Sequence, residues 1–405
     1  MASDRPRKQP ILYLGRTNGR LPHKQFGIWE ADRFFHMLLI GRTGVGKTTL
    51  IETMALQDIA AGRGVCVIDP HGDLVKRLVA HIPLSRYLDL IHLDLPNQHQ
   101  PFAYNPLRRV APAFIPLAAG GLLSAMQKMW KHEWGVRMEH VLRNALFALI
   151  EYGRATLPDV LRLLTEDAFR KEVLLRVANE QVRQFWTSEY PKYNPRYRQE
   201  AIAPIQNKIG AFLADPRMRR LFTEAPTELS MRRAMDDGKI VLINLAKGEL
   251  GDDTANLLGA FLVSTIALAA FSRADSAPTD RRDLFLYIDE FQNFTTSAVV
   301  GMVSELRKFR VALTLAHQHL AQLEPDVRHA VLANVGTLIS MRVGPEDALV
   351  LGREFDGVFD ETDLVNLPNH NAYWKLMIDG APSRPFSGTT LAPNALLLSL
   401  HVRDA

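Results

Sequence analysis

The sequence predicts an α/β protein with a mostly parallel central sheet and an all-α insertion domain, on three observations. Apolar, partly β-branched runs alternate with helical patterns along most of the chain. The first of these runs ends in a glycine-rich pattern that opens a helix. Between residues 106 and 238 the strand signal stops and helical periodicity takes over.

The candidate strands are, in order, FFHMLLI (34–40), VCVID (65–69), LIHLDL (90–95), KIVLINLA (239–246), LFLYIDE (284–290), VALTLA (311–316), TLISMRV (337–343) and YWKLMI (373–378). Each is apolar enough to be buried on both faces, as parallel strands are when helices cover both sides of a sheet. The chain therefore divides into an N-terminal segment (1–33), the first part of a sheet domain (34–105), the insertion (106–238), the second part of that domain (239–385) and a C-terminal tail (386–405). Turn compositions, NPLRRVAP on one side and DDG on the other, mark the edges of the insertion. The most lipid-like run, residues 255–271, lies between two strand candidates and reads as a buried core helix rather than a membrane span.

Composition narrows the class. With 47% hydrophobic and 23% charged residues, the chain has the make-up of a globular protein, and disorder as its main state is excluded. Lys and Arg number 48 against 44 Asp and Glu, a formal charge of +4, too small to mark a surface coated for nucleic acid. Any DNA contact must come from local patches or from repetition around an oligomer. The single cysteine, Cys66, sits within a strand candidate, so no intrachain disulfide forms and a reducing cytoplasm is the expected setting. The polar, basic N-terminus lacks the apolar core of a signal peptide.

GRTGVGKT, residues 41–48, carries the phosphate-loop pattern, with Thr49 continuing into the helix. A chance match in a chain of this length has odds of about one in a hundred, given glycine near 7% of residues. A strand before it and a helix after it are the setting in which backbone N–H groups converge on an anion. Gly41, Gly44 and Gly46 would let the loop curl round a β-phosphate, with Arg42, Thr43 and Val45 completing it. Lys47 would neutralise β and γ oxygens and Thr48 would ligate Mg²⁺. A ligand-free glycine turn is the competing explanation.

Such a loop needs a second strand ending in acids, because Mg²⁺ must be held and water activated. LFLYIDEFQNF supplies Asp289 for the metal shell and Glu290 as general base. The adjacent pair fits NTPases that hydrolyse with their own glutamate. Alternatively, the two acids simply end a strand.

LTLAHQHLAQL, residues 313–323, runs from an apolar strand into His317, Gln318 and His319. Zinc would need three or four ligands, and no further ligands stand at metal-like spacing. Gln318 is the informative residue: with this strand expected between the other two, its amide at the strand tip offers one donor to phosphate and one acceptor to water. The histidines read as packing or interface residues.

Taken together, HMLLIGRTGVGKTTL, VIDPHGDL, the helical insertion, KIVLINLAKGELGDDTANLLGAF, LYIDEFQNF, SELRKFRVALTLAHQHLAQL and NVGTLISMRVGPEDA resemble the HerA/FtsK-type pumping ATPases, and among them the conjugative coupling ATPases of type IV secretion. The resemblance runs from about Tyr13 to Phe355. It implies a RecA-like P-loop NTPase that binds ATP and Mg²⁺ between subunits of a homohexamer and passes DNA through the centre. Lys47 and Thr48 match the family's phosphate-loop pair, Asp289 and Glu290 its metal and base positions, and Gln318 its sensor. Arg307, in SELRKF, matches the arginine presented to a neighbour's ATP, with Arg342 as second candidate. A cation at a helix end is also favoured by the helix dipole, which explains Arg307 without a catalytic role. Asp69, His71 and Asp73 in DPHGDL line either the nucleotide region or an ordinary turn.

The family's transmembrane helices or β-barrel would precede the first strand, where residues 1–33 are polar. The expected location is accordingly the cytoplasm, with any recruitment to the membrane made by a partner such as a secretion-channel or relaxosome protein. YPKYNPRYRQE (190–200) and AKGELGDD (246–253) are the candidate DNA contacts, each also readable as a solvated loop. The expected function is a ring-forming, ATP-hydrolysing DNA translocase in conjugation or type IV secretion. The rivals are a receptor ATPase for protein cargo, a motor in defence or DNA processing, and a slow nucleotide-gated assembly protein.

Overall fold

The computed structural model describes residues 10–19, 22–223 and 227–393. Its strands are β1 (Ile11–Thr17), β2 (Gln25–Trp29), β3 (Met37–Ile40), β4 (Gly64–Asp69), β5 (Leu90–Asp94), β6 (Phe102–Ala103), β7 (Thr227–Glu228), β8 (Ile240–Asn244), β9 (Leu284–Ile288), β10 (Val311–His317), β11 (Thr337–Ser340), β12 (Asn371–Lys375), β13 (Met377–Ile378), β14 (Ala381–Pro382) and β15 (Phe386–Thr390). Eleven form one sheet in the order β2-β1-β15-β12-β11-β3-β10-β9-β4-β8-β5. From β11 to β5 every pairing is parallel. From β11 to β2 every pairing is antiparallel.

The parallel half is buried on both sides. Met37 and Leu39 of β3 enter one apolar cluster with the helix α1 (Lys47–Ala60) and the helix α2 (Asp73–Ala80), while Leu38 and Ile40 enter the other with the insertion. Alternate residues pointing to opposite faces explain why these strands read as unbroken apolar runs.

The strand β10 lies between β3 and β9, so the glycine loop, the acids and Gln318 all emerge at the sheet's carboxyl edge. Open α/β sheets bind ligands along this edge.

The insertion packs its helices α3 (Ile115–Met129) and α4 (Val136–Tyr152) on one another, and α3 rests on the long Asp252–Ser272 helix of the sheet domain. That helix is the one candidate span among the described residues, by length and composition, and 72% of its most apolar window is buried inside the protein. Burial on all sides accounts for its uniformly apolar character.

Five expectations need correction. Residues 1–33 are not a segment outside the sheet, because β1 and β2 pair within it. The strand expected at 34–40 begins only at Met37, since Glu30–Phe35 form a 3-10 turn. The tail expected at 386–405 begins with β15, which fills the place between β1 and β12, while residues 394–405 lie outside the described residues. The 373–378 run is not a parallel strand: β12 runs antiparallel to β11, and the chain then breaks into the short β13–β14 pair. The insertion also departs from all-α where β7 pairs with β6 just outside its expected edge.

Candidate active site

The glycine loop connects β3 to α1 with two residues in left-handed conformation, Gly44 at φ 77° and Gly46 at φ 112°. A Cβ at Gly46 would lie 2.7 Å from His370 Nδ1, so this position requires glycine for space as well as for backbone. Neighbouring strands hold the loop from three directions. Gly41 N donates to His317 O, Arg42 N to Arg342 O, and His370 N to Val45 O. Thr48 and Thr49 stand in the first turn of α1, beside N–H groups that have no partner within the helix.

Lys47 is 5% exposed and donates to Gly41 O at 2.7 Å and Arg42 O at 3.2 Å. Its ammonium lies 3.8 Å from Glu290 Oε1. Burial lowers its pKa, against the raising effect of Glu290 and Asp289. A poorly hydrated cation among loop carbonyls has strong reason to accept an anionic partner.

Asp289 is 2% exposed and accepts from Thr48 Oγ1 at 2.9 Å and from the Glu290 N–H at 3.0 Å. Burial first, and then the charge of Glu290, push its pKa up to about 6. A desolvated carboxylate paired with the loop hydroxyl is a donor set suited to a hard divalent cation, so Mg²⁺ fits these two side chains.

Glu290 takes a left-handed backbone, φ 48°, unusual for a non-glycine residue and costly in energy by about 1 kcal/mol or more. Its carboxylate is bound on both oxygens: Gln318 Nε2 donates to Oε1 at 2.7 Å, and Gln292 Nε2 to Oε2 at 2.6 Å. Gln318 Oε1 in turn accepts from Thr43 Oγ1 of the glycine loop at 3.0 Å. The expected sensor therefore bridges the expected base and the phosphate loop through one amide.

The histidines separate. His317 is fully buried with its ring edge-on to Phe291, and neither ring nitrogen makes a well-formed hydrogen bond. Burial takes its pKa down to about 3, the nearby His319 backbone opposing part of the effect. His319 instead lies 3.3 Å from Asp347, which also accepts from Leu320 N–H. Among the described residues no cluster suited to a metal ion is present beyond this arrangement of single acids.

Other expected residues fall outside this constellation. Arg307 stacks on the Phe35 ring at 3.7 Å, in the turn that precedes β10. It sits at the amino edge of the sheet, separated from its own glycine loop by the length of β10, on the order of 20 Å. Arg342 is beside the loop in the same chain, donating to Leu367 O and Asn369 Oδ1. Asp69 accepts from His71 N and Val75 N, which builds the turn into α2, and leaves His71 and Asp73 exposed. In the 190–200 stretch Tyr190 is fully buried with its hydroxyl donating to Leu164 O, so it is not a stacking platform, and Arg198 packs on its ring. Lys247 in the 246–253 stretch lies 3.9 Å from Asp252.

Sequence reasoning missed Gln292, Lys128 and His370. Gln292 stood in view two positions after Glu290. Lys128, which donates to the Gln292 carbonyl, and His370, which donates to Val45 O, come near the site only through tertiary packing.

With this geometry in place, similarity to known proteins is informative. The family model described as the type IV secretion-system coupling protein DNA-binding domain matches residues 28–348. The plasmid coupling protein TrwB in complex with ADP and Mg²⁺ superposes with a TM-score of 0.67 at 16% identity, covering 95% of both chains. TrwB with a non-hydrolysable ATP analogue gives 0.65 at 16% identity, over 90% of this chain and 86% of that one. VirB4 of Thermoanaerobacter pseudethanolicus gives 0.64 at 14% identity, over 95% and 97%. At these identities the likeness establishes the fold, which is RecA-like. No curated protein sequence matches significantly.

Proposed function

The chain belongs to the type IV secretion-system coupling protein family, whose DNA-binding-domain model spans residues 28–348, and from that membership we propose that it hydrolyses ATP as a ring-forming motor that moves DNA toward a secretion channel. The observation that carries the catalytic part is the continuous chain Thr43–Gln318–Glu290–Gln292, which ties the phosphate loop to a buried carboxylate.

The roles follow from the contacts. Backbone N–H groups of residues 43–49 and the Lys47 ammonium hold the β- and γ-phosphates. Thr48 and Asp289 would hold Mg²⁺, which when bound would supply charge to neutralise phosphate oxygens. Glu290, oriented by two amides, accepts the proton of the attacking water. Gln318 shares its amide between Glu290 and the phosphate loop, so a γ-phosphate competing for that amide changes the orientation of the base. Neighbouring subunits of a hexamer complete each site, with Arg307 offered across the interface, and the work is done at the cytoplasmic face where a channel partner receives the DNA.

The test is steady-state ATP hydrolysis with and without long linear DNA, across protein concentration, with Glu290→Gln alongside. Turnover should rise with DNA and steeply with protein, and fall at least a hundredfold in Glu290→Gln while nucleotide still binds. Turnover indifferent to DNA but raised by a protein substrate would replace the motor with a cargo receptor. Unchanged turnover in Glu290→Gln would remove Glu290 from the mechanism.

A further inference from the structure

We propose that Lys128 is a positioning residue through which the helical insertion governs the catalytic glutamate, an inference that rests on Glu290 being the base. Lys128 ends the helix α3 of the insertion, yet its ammonium contacts the sheet domain. It donates to Gln292 O at 2.8 Å, to Thr295 Oγ1 at 2.7 Å and, more weakly, to Asn293 O at 3.4 Å. Gln292 then donates its side chain to Glu290 Oε2 at 2.6 Å. Two steps join the insertion to the catalytic carboxylate.

A lysine in the last turn of a helix usually extends into water, where the helix dipole and hydration both favour it. This one is half-buried and serves acceptors on another element. Its burial pulls the ammonium down to about 8, partly offset by Glu324. Giving up hydration is costly unless the acceptors that replace water are well placed, and two are.

What Lys128 holds is the turn Phe291–Phe294, which follows the strained backbone of Glu290. His317 packs on Phe291 from one side, and the Asp252–Ser272 helix fits Phe294 against Gly259 from another. Both of those supports belong to the sheet domain. Lys128 brings hydrogen bonds from the insertion to this turn. A displacement of α3 when the insertion engages DNA would move the turn and, through Gln292, the carboxylate.

The experiment compares Lys128→Met, Lys128→Arg and wild type for KM, for kcat with and without linear duplex DNA, and for DNA affinity. Lys128→Met should lower DNA-stimulated kcat about tenfold, bring the stimulated-to-basal ratio toward one, and leave KM for ATP and DNA affinity within about twofold. Lys128→Arg should recover most of the ratio, since a guanidinium offers donors to the same carbonyls. An unchanged ratio in Lys128→Met, or a parallel fall of basal and stimulated rates, would overturn the proposal. If Lys128→Met does not fold, Thr295→Val supplies the test by removing one Lys128 acceptor: the ratio should fall part of the way toward one, and an unchanged ratio would overturn the proposal. Retained hydrolysis in Glu290→Gln is a different failure, that of the underlying base assignment.

Discussion

At the scale of single residues, the site combines functional groups with one purely structural burden, the imidazole of His317. Its pKa falls from the ordinary 6.5 to about 3 on folding, so the unfolded chain binds a proton that the folded protein refuses. That contribution to stability is complete above pH 6.5 and declines as the pH drops through 6.5 toward 3. Between pH 7.5 and pH 5 the loss is about 2 kcal/mol. His317→Leu should remove this part of the slope, which thermal unfolding at the two pH values would reveal; an identical slope would mean that the imidazole is protonated in the folded state. Of the residues in this site, the glycine loop, Asp289, Glu290 and Gln318 were legible because each stands at the end of an apolar run, where a polar residue has no packing reason to be. Gln292 and His370 were not legible, because a polar residue in a turn carries no signal of where its side chain reaches.

At the scale of elements, the turn after β9 depends on the Asp252–Ser272 helix. A Cβ at Gly259 would lie 2.2 Å from Phe294 Cδ1, closer than any van der Waals contact allows. Gly259→Ala should cost about 1–3 kcal/mol of overpacking, despite the better helix propensity of alanine. Because Phe294 closes the turn that carries Gln292, kcat should also fall by several-fold. Chemical denaturation and steady-state kinetics on the same preparation would check both, and undiminished stability would show that Phe294 has room to move. The strands read most clearly were those buried on both faces, such as Val311–His317. The strands missed were those with mixed exposure: Ile11–Thr17 alternates buried and exposed positions, and Phe386–Thr390 is FSGTT, largely polar with a glycine. Direction was equally hidden, since an apolar run reads the same whether it lies parallel or antiparallel to its neighbour.

At the scale of the whole molecule, Arg307 has no access to its own glycine loop, because β10 separates them. The catalytic role proposed for it therefore requires a second subunit in a head-to-tail ring. Arg307→Ala and Lys47→Ala should each abolish hydrolysis alone. An equimolar mixture should recover about a quarter of the wild-type rate, since that share of interfaces pairs an intact Lys47 with an intact Arg307 when subunits assort randomly. Full turnover in Arg307→Ala would discard this assignment and turn attention to Arg342, which lies beside the loop in the same chain.

The placement of β15 between β1 and β12 has a consequence for the order in which the protein is made. The glycine loop and both acids leave the ribosome well before residues 386–390, yet the hairpin of β1 and β2 can join the rest of the sheet only through β15. The same late segment reaches back to the nucleotide site, with Thr390 N–H bonded to His370 O, and His370 N–H to Val45 O. A nascent chain therefore carries the glycine loop and both acids while the β1–β2 hairpin still lacks its neighbour in the sheet. Closure of the sheet and the backing of the phosphate loop through His370 both wait on this last strand.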